Sequence, residues 1–232
     1  MNVLVACEFS GVVRDAFRAR GHSAWSCDLL PAESKRHLHI QGDALEAIRD
    51  GRPTDGAPWD MMIAHPPCTY LSYAATRHWN NPGRQELREE ARDFFLALIN
   101  APVPMIAVEN PVGWMNTVFR KPDQIIHPYY WGDPFQKRTC LWLKGLPLLT
   151  WDKATAIKPE PMYICQGEKC KGKKIYWCEG VRGSKNGDRW KLRSVTFPGI
   201  AAAMADQWGA LPDCTPSAPV SRPDAESDTA IK

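Results

Sequence analysis

The sequence has no long hydrophobic run. None of its 232 residues belong to a stretch near the ~18 apolar residues of a membrane span, so no membrane partner is expected. It also has no basic leader. Met1-Asn2-Val3-Leu4-Val5-Ala6 reads as a strand rather than a signal peptide, which leaves a cytoplasmic location as the expectation. Without a secretory signal, the eight cysteines are expected as thiols. No large excess of one charge exists either. A net charge of +3 excludes a polycation acting along its whole length. Glycine is scarce where a nucleotide-binding turn would need it. Glu8-Phe9-Ser10-Gly11 carries one, and a full Gly-x-Gly-x-x-Gly is missing.

What is present fits an ordinary soluble globular chain, with 44% hydrophobic and 24% charged residues. The length suits one sizeable domain, or one domain with a small insert. Its charge is unevenly placed. Between Trp151 and Arg193 stand eleven Lys/Arg against five Asp/Glu, a local +6, so the remainder carries −3. Such asymmetry predicts an anionic partner at that stretch, nucleic acid first.

The patterning alternates strand and helix. Asn2–Cys7 is an apolar strand, followed by the turn Glu8–Gly11. A helix follows in which Val12, Val13, Ala16 and Phe17 recur at helical spacing. This is the opening of a βαβ unit. Ala24–Leu29 is a second strand. Its Asp28 either stands where this architecture grips a nucleoside ribose or is a solvated loop aspartate. Gly42-Asp43 leads into a short helix. Gln85–Asn100 is an amphipathic helix, Pro104–Val108 a buried strand, and Gln124–Ile126 and Thr139–Leu143 two more. Ile200, Ala203, Met204 and Trp208 mark a last helix. From these the fold class is α/β: a mostly parallel, Rossmann-like sheet with helices on both faces.

The chemistry centres on Met61–Tyr70. An apolar strand ends in Pro66-Pro67, which cannot donate to a sheet ladder, and Cys68 follows at once. Cys68 therefore lies on a stiffened loop past a strand's carboxyl end, where open α/β sheets collect ligands. It is either a nucleophile or a small buried hydrophobe. The pattern recurs in Pro104–Pro111: an apolar strand, then Glu109, Asn110 and a proline. The loop Thr69–Pro82 is polar and aromatic with no clear period, and a loop of this length inside a compact domain is usually functional or mobile.

Taken in order, these stretches resemble the DNA cytosine-5 methyltransferase family, especially its short, phage-type members. The resemblance covers about residues 1–145 and 193–210. It implies a fold that binds S-adenosylmethionine through Phe9-Ser10-Gly11, with Asp28 on the ribose, Asp43 near adenine and Pro66 alongside. It implies Cys68 as nucleophile, Glu109 as the acid for the pyrimidine N3, and Arg138 on the base carbonyl or orienting Glu109. Pro67, Asn110, Gln136 and Lys137 would touch the base, and Thr196-Phe197-Pro198 would return to the cofactor site. DNA is the implied partner and a monomer the expected form. The acid role requires surroundings that raise the Glu109 pKa. The chain departs from the family pattern in its glycine-poor first motif, in Cys140 replacing an arginine, and in a short insert.

The expected organisation is a catalytic domain, 1–145 with 193–210, a basic insert, 146–192, for target recognition, and a flexible tail, 211–232. Cys165, Cys170 and Cys178 lack an obvious fourth ligand nearby, so no metal is expected. Two other readings stay open. His65-Pro66-Pro67-Cys68 also echoes the Asn/Asp-Pro-Pro-aromatic motif of amino-methyltransferases, and the weak first motif suits an inactive DNA-binding module.

Overall fold

Alternation with a period of two runs through the central strands. Val3 and Val5 face one core and Leu4 and Ala6 the other. Met61 and Ile63 oppose Met62 and Ala64 in the same way, as Met105 and Ala107 oppose Ile106 and Val108. Strands buried on both faces read as continuous apolar runs, as these do. The structure, a computed structural model, describes residues 1–176 and 196–211. Cys178, the basic residues from Arg182 to Arg193 and the expected tail beyond Leu211 lie outside the described residues.

The strands are β1 (Asn2–Ala6), β2 (Ser23–Asp28), β3 (His39–Gln41), β4 (Met61–Ala64), β5 (Met105–Pro111), β6 (Gln124–Ile126) and β7 (Thr139–Lys144). They form one seven-stranded sheet of order β3-β2-β1-β4-β5-β7-β6. β1 through β5 pair in parallel, β7 runs antiparallel to β5, and β6 antiparallel to β7. Helices α1 (Val12–Arg18) and α5 (Pro198–Gln207) pack on the face holding Val3 and Val5; α4 is the short helix Met115–Val118. Helices α2 (Ala44–Asp50) and α3 (Arg84–Ile99) pack on the opposite face. This is the mixed α/β, mostly parallel, Rossmann-like fold that the patterning predicts.

The order places a switch point at β1 and β4. The chain leaves β1 toward β2 and β3, then returns to β1's other side as β4. The loops after β1 and β4 therefore open a crevice at the carboxyl edge, where ligands bind in such sheets.

Three details differ from the sequence reading. β4 stops before its prolines, but β5 runs through Glu109 and Asn110 to Pro111, which pairs with Thr139. The antiparallel partner β7 carries the ladder to a terminal position where proline's missing donor matters least. Second, the loop after Cys68 contains a 3₁₀ turn, Tyr73–His78. Third, the short strands β8 (Tyr163–Ile164) and β9 (Lys174–Ile175) form a hairpin. In it Cys165 and Cys170 are a disulfide rather than the expected thiols, because the hairpin turn brings their Cα atoms to 5.7 Å. Among the described residues no helix is long and apolar enough to cross a membrane.

Candidate active site

β1 ends by turning sharply. Cys7 takes a left-handed conformation, φ 59°, a sparsely populated state for a residue with a side chain. Glu8 then turns inward and is buried. Its Oε1 accepts the Val13 N–H at 2.7 Å and its Oε2 the Arg14 N–H at 3.3 Å. A carboxylate thus satisfies the first amides of α1. In dinucleotide-binding turns a phosphate takes that place. Here the protein's own anion fills it, which explains how the turn works with so little glycine. Ser10 Oγ completes the turn, accepting the Val12 N–H at 3.4 Å. Phe9 is buried beneath it.

The ends of β2 and β3 gather acids and thiols. Burial, then the charges of Asp28, Cys27 and Asp43, push the Cys7 thiol far up. Burial and the same two aspartates push Cys27 up to about 12. These are inert thiols at neutral pH. Asp28 ends β2 opposite Gln41 of β3, two residues before Asp43. Asp28 Oδ1 accepts the Leu30 N–H at 2.9 Å, and burial raises its pKa against that amide and His39. Asp43 is exposed and caps α2, accepting the Leu45 N–H at 2.6 Å. Helix capping alone accounts for an aspartate there.

The second cluster lies across the switch point. His65 continues from β4, its N–H donating to Ala6 C=O at 2.9 Å. His65 Nδ1 is 3.2 Å from Glu109 Oε2, and Lys137 Nζ is 3.7 Å from Glu109 Oε1. All three side chains are largely buried. Glu109 Oε2 has no hydrogen bond of good geometry, so its approach to His65 Nδ1 is that of an ion pair, and His65 Nε2 on the far side of the ring is buried without a hydrogen-bond partner. Burial alone would raise the Glu109 pKa. The Lys137 ammonium and then His65 outweigh it and bring the carboxyl to about 2. The raised pKa required of a Glu109 acid is therefore not found. Two cationic neighbours, unseen in the sequence pattern, reverse the sign.

Asn110 is buried and donates from Nδ2 to Pro66 C=O at 2.9 Å. It braces the proline loop from the adjacent strand. Pro67 and Cys68 follow at the surface, and Cys68 is exposed, so it is not a buried hydrophobe. Leu71 and Ser72 donate their N–H groups to Cys68 C=O at 3.1 and 2.9 Å, closing a tight turn behind it. Lys137 also sits 5.8 Å above the Phe197 ring, which packs on Phe135 at 5.2 Å. The segment preceding α5 therefore does return to this edge. Gln136 is half-buried beside Lys137. Arg138 is exposed, and its charge acts on His127 and Cys140. The cation that reaches Glu109 is Lys137.

Sequence reasoning missed Glu8 and His65. Each stands within two residues of a strand's carboxyl end, which was a usable signal. Their partnership with Glu109 depends on strand order and was not.

An exposed thiol on a proline-stiffened loop, a buried carboxylate on the next strand and a turn capped by buried Glu8 meet at the carboxyl edge of an α/β sheet. No family model matches the sequence, and no curated protein matches it. Among solved structures, the Entamoeba histolytica methyltransferase EhMeth is similar over 71% of this chain and 58% of its own, at 17% identity and a TM-score of 0.43. A substituted form of Spodoptera frugiperda DNMT2 is similar over 79% of this chain and 60% of its own, at 12% identity and a TM-score of 0.37. The chain thus spans about three-fifths of the length of these solved chains. At scores this low the likeness carries no weight of its own, and the fold rests on strand order and the two cores.

Proposed function

We propose that the protein methylates carbon 5 of cytosine in DNA, using S-adenosylmethionine and a covalent bond to Cys68. The observation that carries this reading is the exposed Cys68 beside the switch point, on a loop braced by Asn110. Carbon 5 of cytosine is a poor nucleophile. Addition of the Cys68 thiolate to carbon 6 makes it enamine-like and able to attack a methyl group. Glu109, on the neighbouring strand, meets the N3 and amino edge, and Arg138 holds the carbonyl oxygen. Loss of the carbon 5 proton then expels the thiolate.

The turn after β1 suits a donor without phosphates, because Glu8 already occupies the start of α1. Phe9, Ser10, Gly11, Asp28, Asp43 and Pro66 would hold S-adenosylmethionine, the acids favouring hydroxyls, an amine and positive charge. When bound, the cofactor supplies an electrophilic methyl group. A base inside a duplex cannot reach such a site and must be flipped out. Exposed Lys169, Lys171 and Lys174 near the hairpin support phosphate contact.

Cys68→Ser tests the reading. The variant should fold and bind cofactor but transfer no methyl, since a serine hydroxyl is scarcely ionised at neutral pH. DNA carrying 5-fluorocytosine should trap the wild-type protein covalently and leave the serine variant free. Methylation by the variant at the wild-type rate would sink the proposal and favour transfer to an exocyclic amine.

A further inference from the structure

The reaction above needs a proton at cytosine N3, and Glu109 does not hold one. Between Lys137 and His65 it is a carboxylate, which only accepts hydrogen bonds. The group in contact with it is His65. The His65 and Glu109 side chains are 11% and 10% exposed, and Nδ1 of one lies 3.2 Å from Oε2 of the other. His65 Nε2 is buried with no hydrogen-bond partner. Three charged groups face this imidazole: Glu109 from β5, Glu8 from the turn after β1, and Lys137 from the loop before β7. Burial alone would strip its proton. Glu109 first and Glu8 next outweigh burial and the opposing ammonium, so the His65 pKa is raised.

We infer that His65, paired with Glu109, holds the proton that is delivered to cytosine N3. This rests on the Cys68 reading. As the bond from Cys68 sulfur to carbon 6 forms, the carbon 5–carbon 6 electron pair shifts to carbon 5–carbon 4. The carbon 4–N3 pair then moves onto N3. N3 takes a proton from the Glu109 carboxyl, and Glu109 takes the proton on His65 Nδ1. The carboxylate ends unchanged and the imidazolium becomes neutral imidazole. After methyl transfer, water removes the carbon 5 proton and the carbon–sulfur bond breaks. The N3 proton then returns by the same path. The relay consumes no proton, and one proton, from carbon 5, leaves to solvent. His65 acts through Glu109 and is a positioning residue. Lys137 makes Glu109 a poor resting place for the proton, so Glu109 passes it on.

Two measurements on the full chain test this. Histidine-labelled protein, followed by NMR across pH, reads His65 directly and needs no substrate. Its midpoint should lie above the ordinary ~6.5 and fall back in Glu109→Gln. Single-turnover methyl transfer to cytosine in DNA is then measured across pH. The wild-type rate should drop tenfold per pH unit above that midpoint. His65→Gln should lose this limb and run about a hundredfold slower, the lower end of acid–base effects, with unchanged cofactor affinity. A His65 midpoint at or below the ordinary value overturns the relay while leaving Cys68 catalysis standing, and needs no folded variant. An unaltered pH profile in His65→Gln overturns it too. A raised midpoint in a wild type that transfers no methyl to cytosine overturns the relay and the Cys68 reading together.

Discussion

Arg14 shows how tightly single residues are fitted near the turn after β1. Its guanidinium is fully buried, held by Asp15 at 2.9 Å, Ser26 Oγ at 3.0 Å and Ser34 Oγ at 3.2 Å. Gly11 makes the space. It takes φ +76°, and a Cβ there would stand 2.2 Å from the Arg14 Nη2. An unhindered arginine would swing away, but this one is pinned from three sides. Gly11→Ala should therefore cost about 2 kcal/mol or more of stability, combining the left-handed backbone with the clash. Urea unfolding would read it, and a loss below about 0.5 kcal/mol would show that Arg14 moves freely. Gly11 was legible in the sequence as a turn residue. Its dependence on Arg14 was not, because Arg14 looks like a solvated helix residue until its face is known.

At the scale of elements, the loop carrying Cys68 is fastened down. Trp114 N–H donates to Leu71 C=O at 2.7 Å, and Ser72 pairs with Gly113 in an isolated bridge. The Arg84 guanidinium covers Tyr70 at 4.2 Å, and Arg88 lies between Trp79 and Trp114 at 4.6 and 4.7 Å. Each such contact is worth roughly 0.5–2 kcal/mol. Tyr70 and Trp79 of this loop thus lie against arginines of α3. A Cβ on Gly113 would meet the Leu71 carbonyl oxygen at 2.1 Å. Both partners are backbone, so the loop itself must shift. Gly113→Ala should lower methyl transfer at least tenfold while circular dichroism stays native, because about 1 Å of displacement at a reacting group is already costly. An unchanged rate would mean that Cys68 does not depend on this bridge.

For the whole molecule, the buried charges predict how stability follows pH. Glu109 has a depressed pKa, about 2. Its contribution is present above the unfolded value near 4.5 and is lost as pH falls toward 2. His65 and Glu8 have raised pKa values, His65 through its carboxylate neighbours and Glu8 through burial. Stability from a raised group is complete below its unfolded pKa and fades as pH rises through the folded one. For His65 that fading starts above the ordinary 6.5. The pair should thus stabilise most between about pH 4.5 and 6.5. Urea midpoints of wild type minus Glu109→Gln should peak there. A flat difference across pH would mean that the pair is not ionised in the folded state.

The sequence by itself determined most strands of the sheet, the helices that flank them and the place of Cys68 just past β4. Short apolar runs, helical spacing and the Pro66-Pro67 stop are local signals, and local patterns suffice to place Cys68 just past β4. Only the tertiary structure decided that β5 continues to Pro111, since its partner β7 comes from far along the chain. It alone decided that Glu8 caps α1, that Cys68 is exposed, and that Glu109 is ionised. The protonation state of Glu109 depends on charges a few ångströms away. Those charges come from His65 and Lys137, on separate stretches of chain, and no local pattern encodes the distance between them.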